Sequence, residues 1–203
     1  VESHVLERGA DAPDRVVSAS AMFVAPLLFA LSSFYWSGDG QYGITGSTLL
    51  IFGSIAWIVA FVAIFRALRD VMPRYAAGGL VVAVYGTVCG GAAFAFQGLF
   101  RALYDIPHDR MLRGLADHPV VANAIFWIGG PAFPLTLVVL GVVLARTRTL
   151  APWLGILLAL GGALFPVARI PRLAGIAHAV DLMMLVPLWA LGVRTWTRGL
   201  GPS

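Results

Sequence analysis

Six long runs in this chain are almost free of charge: residues 16–36, 44–65, 76–100, 120–145, 150–168 and 173–193. Of the 24 charged side chains in the 203-residue sequence, only Asp181 falls inside them. An α-helix rises 1.5 Å per residue, so about 20 residues cross a hydrocarbon layer of ~30 Å. Every run is long enough, the fifth only just. Charged residues make up 12% of the chain, about half the share of a soluble domain. So much apolar sequence has no polar face to turn to water. The sequence therefore predicts an all-α polytopic membrane protein, a bundle of six transmembrane helices. Residues 16–198 form its single domain, between a polar cytoplasmic tail at 1–15 and a short tail at 199–203.

What is missing narrows the chemistry. All 14 basic residues are arginine. Without lysine there is no phosphate-loop lysine and no Schiff base for pyridoxal phosphate or retinal. The single cysteine, Cys89, cannot make an intrachain disulfide, a redox pair or a thiolate zinc cage. No G-x-S-x-G, H-E-x-x-H or G-x-G-x-x-G run is present. The net charge of +4 reflects loop arginines, and no basic cluster interleaved with aromatics offers a nucleic-acid surface. His108, Asp109 and His118 fit no standard zinc spacing, and a second deep histidine for haem is lacking. The expectation is a protein with no cofactor, no metal and no nucleic acid, whose partner is the lipid bilayer.

The first fifteen residues are net acidic and unlike a secretory leader, so the first run reads as a retained helix. Tyr35, Trp36, Tyr42, Tyr75, Tyr104, Trp153 and Trp196 stand near span ends as interfacial anchors do. With the amino terminus inside, nine arginines face the cytoplasm (8, 15, 66, 69, 74, 146, 148, 194, 198) and five face out (101, 110, 113, 169, 172). The positive-inside rule then puts both termini in the cytoplasm. The arginine-only, Ala/Gly/Val-rich composition points to a GC-rich bacterial genome, hence a bacterial inner membrane. A weak echo at an offset of 103 residues pairs Val17 with Val120, Phe23 with Phe126 and Arg66 with Arg169. An inverted three-plus-three duplication is one way to produce it.

Two features lie outside this frame. Residues 101–119 form the longest loop, and Met111, Leu112 and Leu115 share one face of a short amphipathic helix there. Gly129-Gly130-Pro131 and Pro134 should kink or unwind the fourth helix. A broken helix in lipid needs protein or a cavity to satisfy the freed carbonyls, which makes this helix the expected pocket wall.

Polar residues inside the spans mark the candidate site. Asp181 and His178 lie three residues apart, on one helix face, roughly 12 Å and 8 Å deep counted from Leu173. A bare charge at that depth costs several kcal/mol, so Asp181 must face the bundle and find a partner. Arg172 is half a turn away from it around the helix, whereas Arg101 and Arg169 are the better partners. The third span carries a stripe of Gly79, Ala83, Gly86, Gly90, Ala93 and Gln97, ending one turn before Arg101. The fourth begins with Asn123, followed on its face by Trp127, Gly130 and Pro134. The first ends in Ser32 and Ser33. Together Ser32, Ser33, Gln97, Arg101, Asn123, Arg169, His178 and Asp181 outline an outward-facing polar pocket. Gln97, Asn123 and the serines can equally be glue between helices, at about 0.6–2 kcal/mol per bond.

Three functions fit these residues. The first is binding or transport of a small amphiphile or lipid, with His178 and Asp181 as a proton-sensitive element. The second is a membrane-embedded hydrolase or transferase, in which Asp181 orients His178 as base and Ser32 or Ser33 attacks. The third is a non-catalytic subunit, a homo- or hetero-oligomer packing through Gly86 and Gly90.

Overall fold

The computed structural model describes residues 2–36 and 41–198, with side chains from residue 14 onward; the short tail expected at 199–203 lies outside them. Six helical spans are long and apolar enough to cross a membrane: Asp14–Phe34, Ile44–Leu68, Pro73–Leu103, Pro119–Arg146, Pro152–Arg169 and Ala174–Arg198. The chain is a multi-pass membrane protein built as an all-α bundle.

The helices in chain order are α1 (Glu2–Phe34), α2 (Ile44–Leu68), α3 (Pro73–Thr87), α4 (Phe94–Leu103), α5 (His108–Ala116), α6 (Pro119–Ala122), α7 (Gly129–Arg146), α8 (Pro152–Arg169) and α9 (Ala174–Arg198). Helix α1 begins at Glu2, so the acidic stretch expected as a tail continues the first helix. Proline opens the third, fourth and fifth spans, where its missing N–H costs nothing. Arginine closes the second, fourth, fifth and sixth, against the negative end of the helix dipole.

Two spans are interrupted by π-helix. Val88–Ala93 joins α3 to α4, and Asn123–Ile128 joins α6 to α7. The second interruption immediately precedes Gly129-Gly130-Pro131, so the expected break takes the form of a widened turn. Pro131 and Pro134 have no N–H to offer the carbonyls one turn back. The two π segments lie against each other. Their registers lock through small residues: a Cβ on Gly90 would stand 2.7 Å from the Gly130 carbonyl oxygen, and the Tyr85 hydroxyl donates to the Ala124 carbonyl.

The six spans form a closed ring in chain order, the sixth returning to the first. Aromatic rings fill its middle. Phe133 on α7 contacts Phe29, Trp57, Phe61 and Phe165, with ring centroids 5.3–6.2 Å apart. All of these except Phe165 are essentially sealed from the surface. Elsewhere the ring closes on glycine. Cβ atoms on Gly141 and Gly155 would meet each other's carbonyl oxygens at 2.5–2.6 Å, so α7 and α8 cross backbone to backbone. The outward faces carry Val81, Val120, Ile128 and Val167, all more than half exposed, as a lipid-facing surface should.

Gly86 and Gly90 are used inside the chain. A Cβ on Gly86 would lie 2.4 Å from the backbone nitrogen of Phe133. The glycine face suggested for a second copy or another subunit packs here against the fourth span of the same chain.

Candidate functional site

One end of the ring holds the turn after α1, the 104–118 connection and the α8–α9 turn. The amphipathic segment in that connection is helix α5. Pro107 precedes it, Asp109 stands in its first turn and Arg113 in its last, each matching the dipole. No residue of α5 is buried. Its Met111, Leu112 and Leu115 face a cavity of about 540 Å³, for which they form one wall.

The rest of the wall comes from the broken spans and the fifth helix. The third span supplies Gly90, Phe94 and Gln97. The fourth supplies Asn123, Phe126, Trp127, Gly130 and Pro134. The fifth supplies Phe165, Pro166 and Arg169, and the α8–α9 turn adds Ile170 and Arg172. Trp36 and Tyr42, brought together by an isolated antiparallel bridge, complete it. Widened turns at Val88–Ala93 and Asn123–Ile128 thus flank the cavity, a placement π-helix often takes near functional sites.

Arg169 is the polar pole. Its Nη2 donates to Asp181 Oδ1 at 2.6 Å, and its Nη1 donates to the Tyr42 hydroxyl. Trp36 and Phe165 flank the guanidinium, with ring centroids 5.4 and 4.6 Å from its central carbon. The side chains of Arg169 and Asp181 are 11% and 1% exposed. Arginine suits this place because its planar fork can hold two acceptors while its faces lie on aromatic rings. The bridge also crosses the chain: α8 holds the arginine, α9 the acid and the α1–α2 turn the tyrosine.

The eight residues nominated by sequence divide into three groups. Gln97, Asn123 and Arg169 border the cavity. Asp181 sits behind Arg169, with Ser33 and His178 as further polar neighbours. Its Oδ2 accepts no hydrogen bond. The remaining residues do other work. His178 stacks flat on Phe34, centroids 3.9 Å apart, and is not part of the cavity wall. Ser32 and Ser33 are buried and donate to the carbonyls of Phe29 and Ala30 in their own helix. Arg101 lies one turn past Gln97, outside the wall, and is engaged in an interaction of its own. Among the described residues, the Ser32 and Ser33 hydroxyls donate to their own helix and Asp181 accepts from Arg169, so neither serine is hydrogen-bonded to His178.

Sequence reasoning missed the aromatic lining. Trp36 and Tyr42 read as interface anchors, while Phe94, Phe126 and Phe165 were indistinguishable from lipid-facing residues. The available signal was the stripe of Asn123, Trp127, Gly130 and Pro134, all four of which line the cavity. Among the described residues no group of three or more His, Cys, Asp or Glu side chains is placed to hold a metal ion. No known family model matches the chain, and neither a curated protein nor a solved structure matches it significantly.

Proposed function

We propose that this membrane protein binds a small amphiphile or lipid in the cavity between its third, fourth and fifth spans. The observation that carries the reading is the pairing of a mostly apolar, aromatic wall with one buried arginine at its pole. Ligand pockets run from about 300 to 1,000 Å³, apolar for the most part, with a few polar groups that fix orientation. A cavity of about 540 Å³ falls within that range. Its size suits one apolar tail and a compact head better than a two-chain lipid.

In this proposal both termini are cytoplasmic, the membrane is a bacterial inner membrane, and the cavity end faces outward. Transport is the natural extension. It would require the Phe133 cluster behind Phe165 to part, because that cluster closes the ring below the cavity.

Native mass spectrometry of the protein in mild detergent tests the reading. The wild type should carry an adduct of lipid or amphiphile mass. Ala116→Trp places a large side chain into the cavity from an exposed position on α5 and should remove the adduct. An adduct retained in Ala116→Trp, or no adduct in the wild type even after lipid is added back, would overturn it.

A further inference from the structure

We infer that the head group taken by this cavity is an uncharged hydrogen-bond acceptor, a carbonyl-bearing group such as an ester, amide or ketone. The inference rests on the amphiphile reading above and adds the class of ligand. Two side chains on the wall carry buried N–H groups that no acceptor meets: Trp36 Nε1 and Arg169 Nε. The two side chains are neighbours, because the guanidinium lies over the indole ring. A buried donor without a partner is costly, and a ligand whose acceptor reaches it, as the indole or guanidinium edge turns toward the cavity, recovers that cost on binding. An amine head would set donors against donors, and the nearest acceptor, Asp181, lies behind Arg169 and off the wall.

Charge decides between a neutral and an anionic acceptor. Arg169 already holds a carboxylate, and the two charges cancel. Asp181 Oδ2 is itself without a hydrogen-bond partner. A carboxylate or phosphate entering beside it would place two anions on one guanidinium in a pocket walled by aromatic rings. Burying that second charge without a second cation is unfavourable. Of the other polar groups on the wall, Arg172 is engaged in an interaction of its own, His108 stands exposed to solvent on α5, and the amides of Gln97 and Asn123 carry no charge. A carbonyl oxygen accepts from the same donors and adds no charge.

The test uses the delipidated full chain in detergent and three tail-matched probes: methyl laurate, laurate and laurylamine. Calorimetric titration should show methyl laurate binding about tenfold more tightly than either charged probe, a difference of about 1.4 kcal/mol. Trp36→Phe keeps an aromatic ring but removes one donor. It should weaken methyl laurate severalfold and leave laurylamine unchanged. Equal or tighter binding of laurate or laurylamine would overturn the head-group inference while leaving amphiphile binding intact. If all three probes bind Ala116→Trp as well as the wild type, the cavity reading itself falls.

Discussion

At the scale of single residues, the molecule turns on the cost of a charge in hydrocarbon. Asp181 is the one carboxylate within the apolar core of a span, and its side chain is almost completely sealed. It is tolerable there because Arg169 reaches it at 2.6 Å and is itself held by Tyr42 and two aromatic faces. Breaking a buried pair by removing one partner typically costs about 3–5 kcal/mol, since an uncompensated charge remains. Asp181→Ala should therefore lower stability by roughly that amount, read as earlier unfolding in a denaturant series in detergent. Replacing both partners with apolar residues, Arg169→Met with Asp181→Leu, should recover most of the loss. A double variant less stable than either single one would show that the pair is not the stabilising unit. Much of this was legible beforehand. An acid at that depth had to find company, and only Arg101 and Arg169 were in reach. The stacking of His178 on Phe34 was not legible, because pairing across helices depends on how α1 and α9 rotate against each other.

Among the elements, glycine and proline determine how the spans meet. Gly86 touches the Phe133 backbone so closely that a methyl group has no place to go. Gly86→Ala should cost about 1–3 kcal/mol, as overpacking does. Gly78, on the same helix, has nothing within 4 Å of its Cβ position. Gly78→Ala should be neutral or slightly stabilising, because alanine is the better helix former by about 1 kcal/mol. Thermal unfolding of the two variants side by side tests the packing, and equal effects would contradict it. The exposed helix α5 makes few contacts with the bundle, so its amides should exchange with solvent much faster than those of α7. Addition of a bound amphiphile should slow them, as the ligand fills the space beneath Met111 and Leu115. Protection in α5 equal to that in α7 before any ligand is added would argue against a loosely held cover. The amphipathic pattern of α5 could be read from sequence, and so could the break at Gly129-Gly130-Pro131. The π turn at Val88–Ala93 could not, because Gly90-Gly91 allows a widened turn without requiring one.

For the whole molecule, six apolar runs were enough to predict six spans, because nothing else in the sequence could be hidden from water or satisfied in lipid. The closed ring and its end cavity follow from packing that no single run reveals. Orientation is a separate proposal resting on nine arginines against five. In a Cys89→Ala background, Gly114→Cys on α5 should react with an impermeant maleimide in intact cells. Asp70→Cys, in the turn between the second and third spans, should react only after permeabilisation. The reverse pattern would invert the topology.

The claim on which the rest depends is that Arg169, locked to Asp181, is the pole of a ligand cavity. An experimental structure of the full chain in lipid nanodiscs measures this directly. The expected result is elongated non-protein density between Phe94, Phe126 and Leu115, with its polar end within hydrogen-bond distance of Arg169 Nε. Density from ordered water alone, or Arg169 swung away from Asp181 toward solvent, would contradict the account.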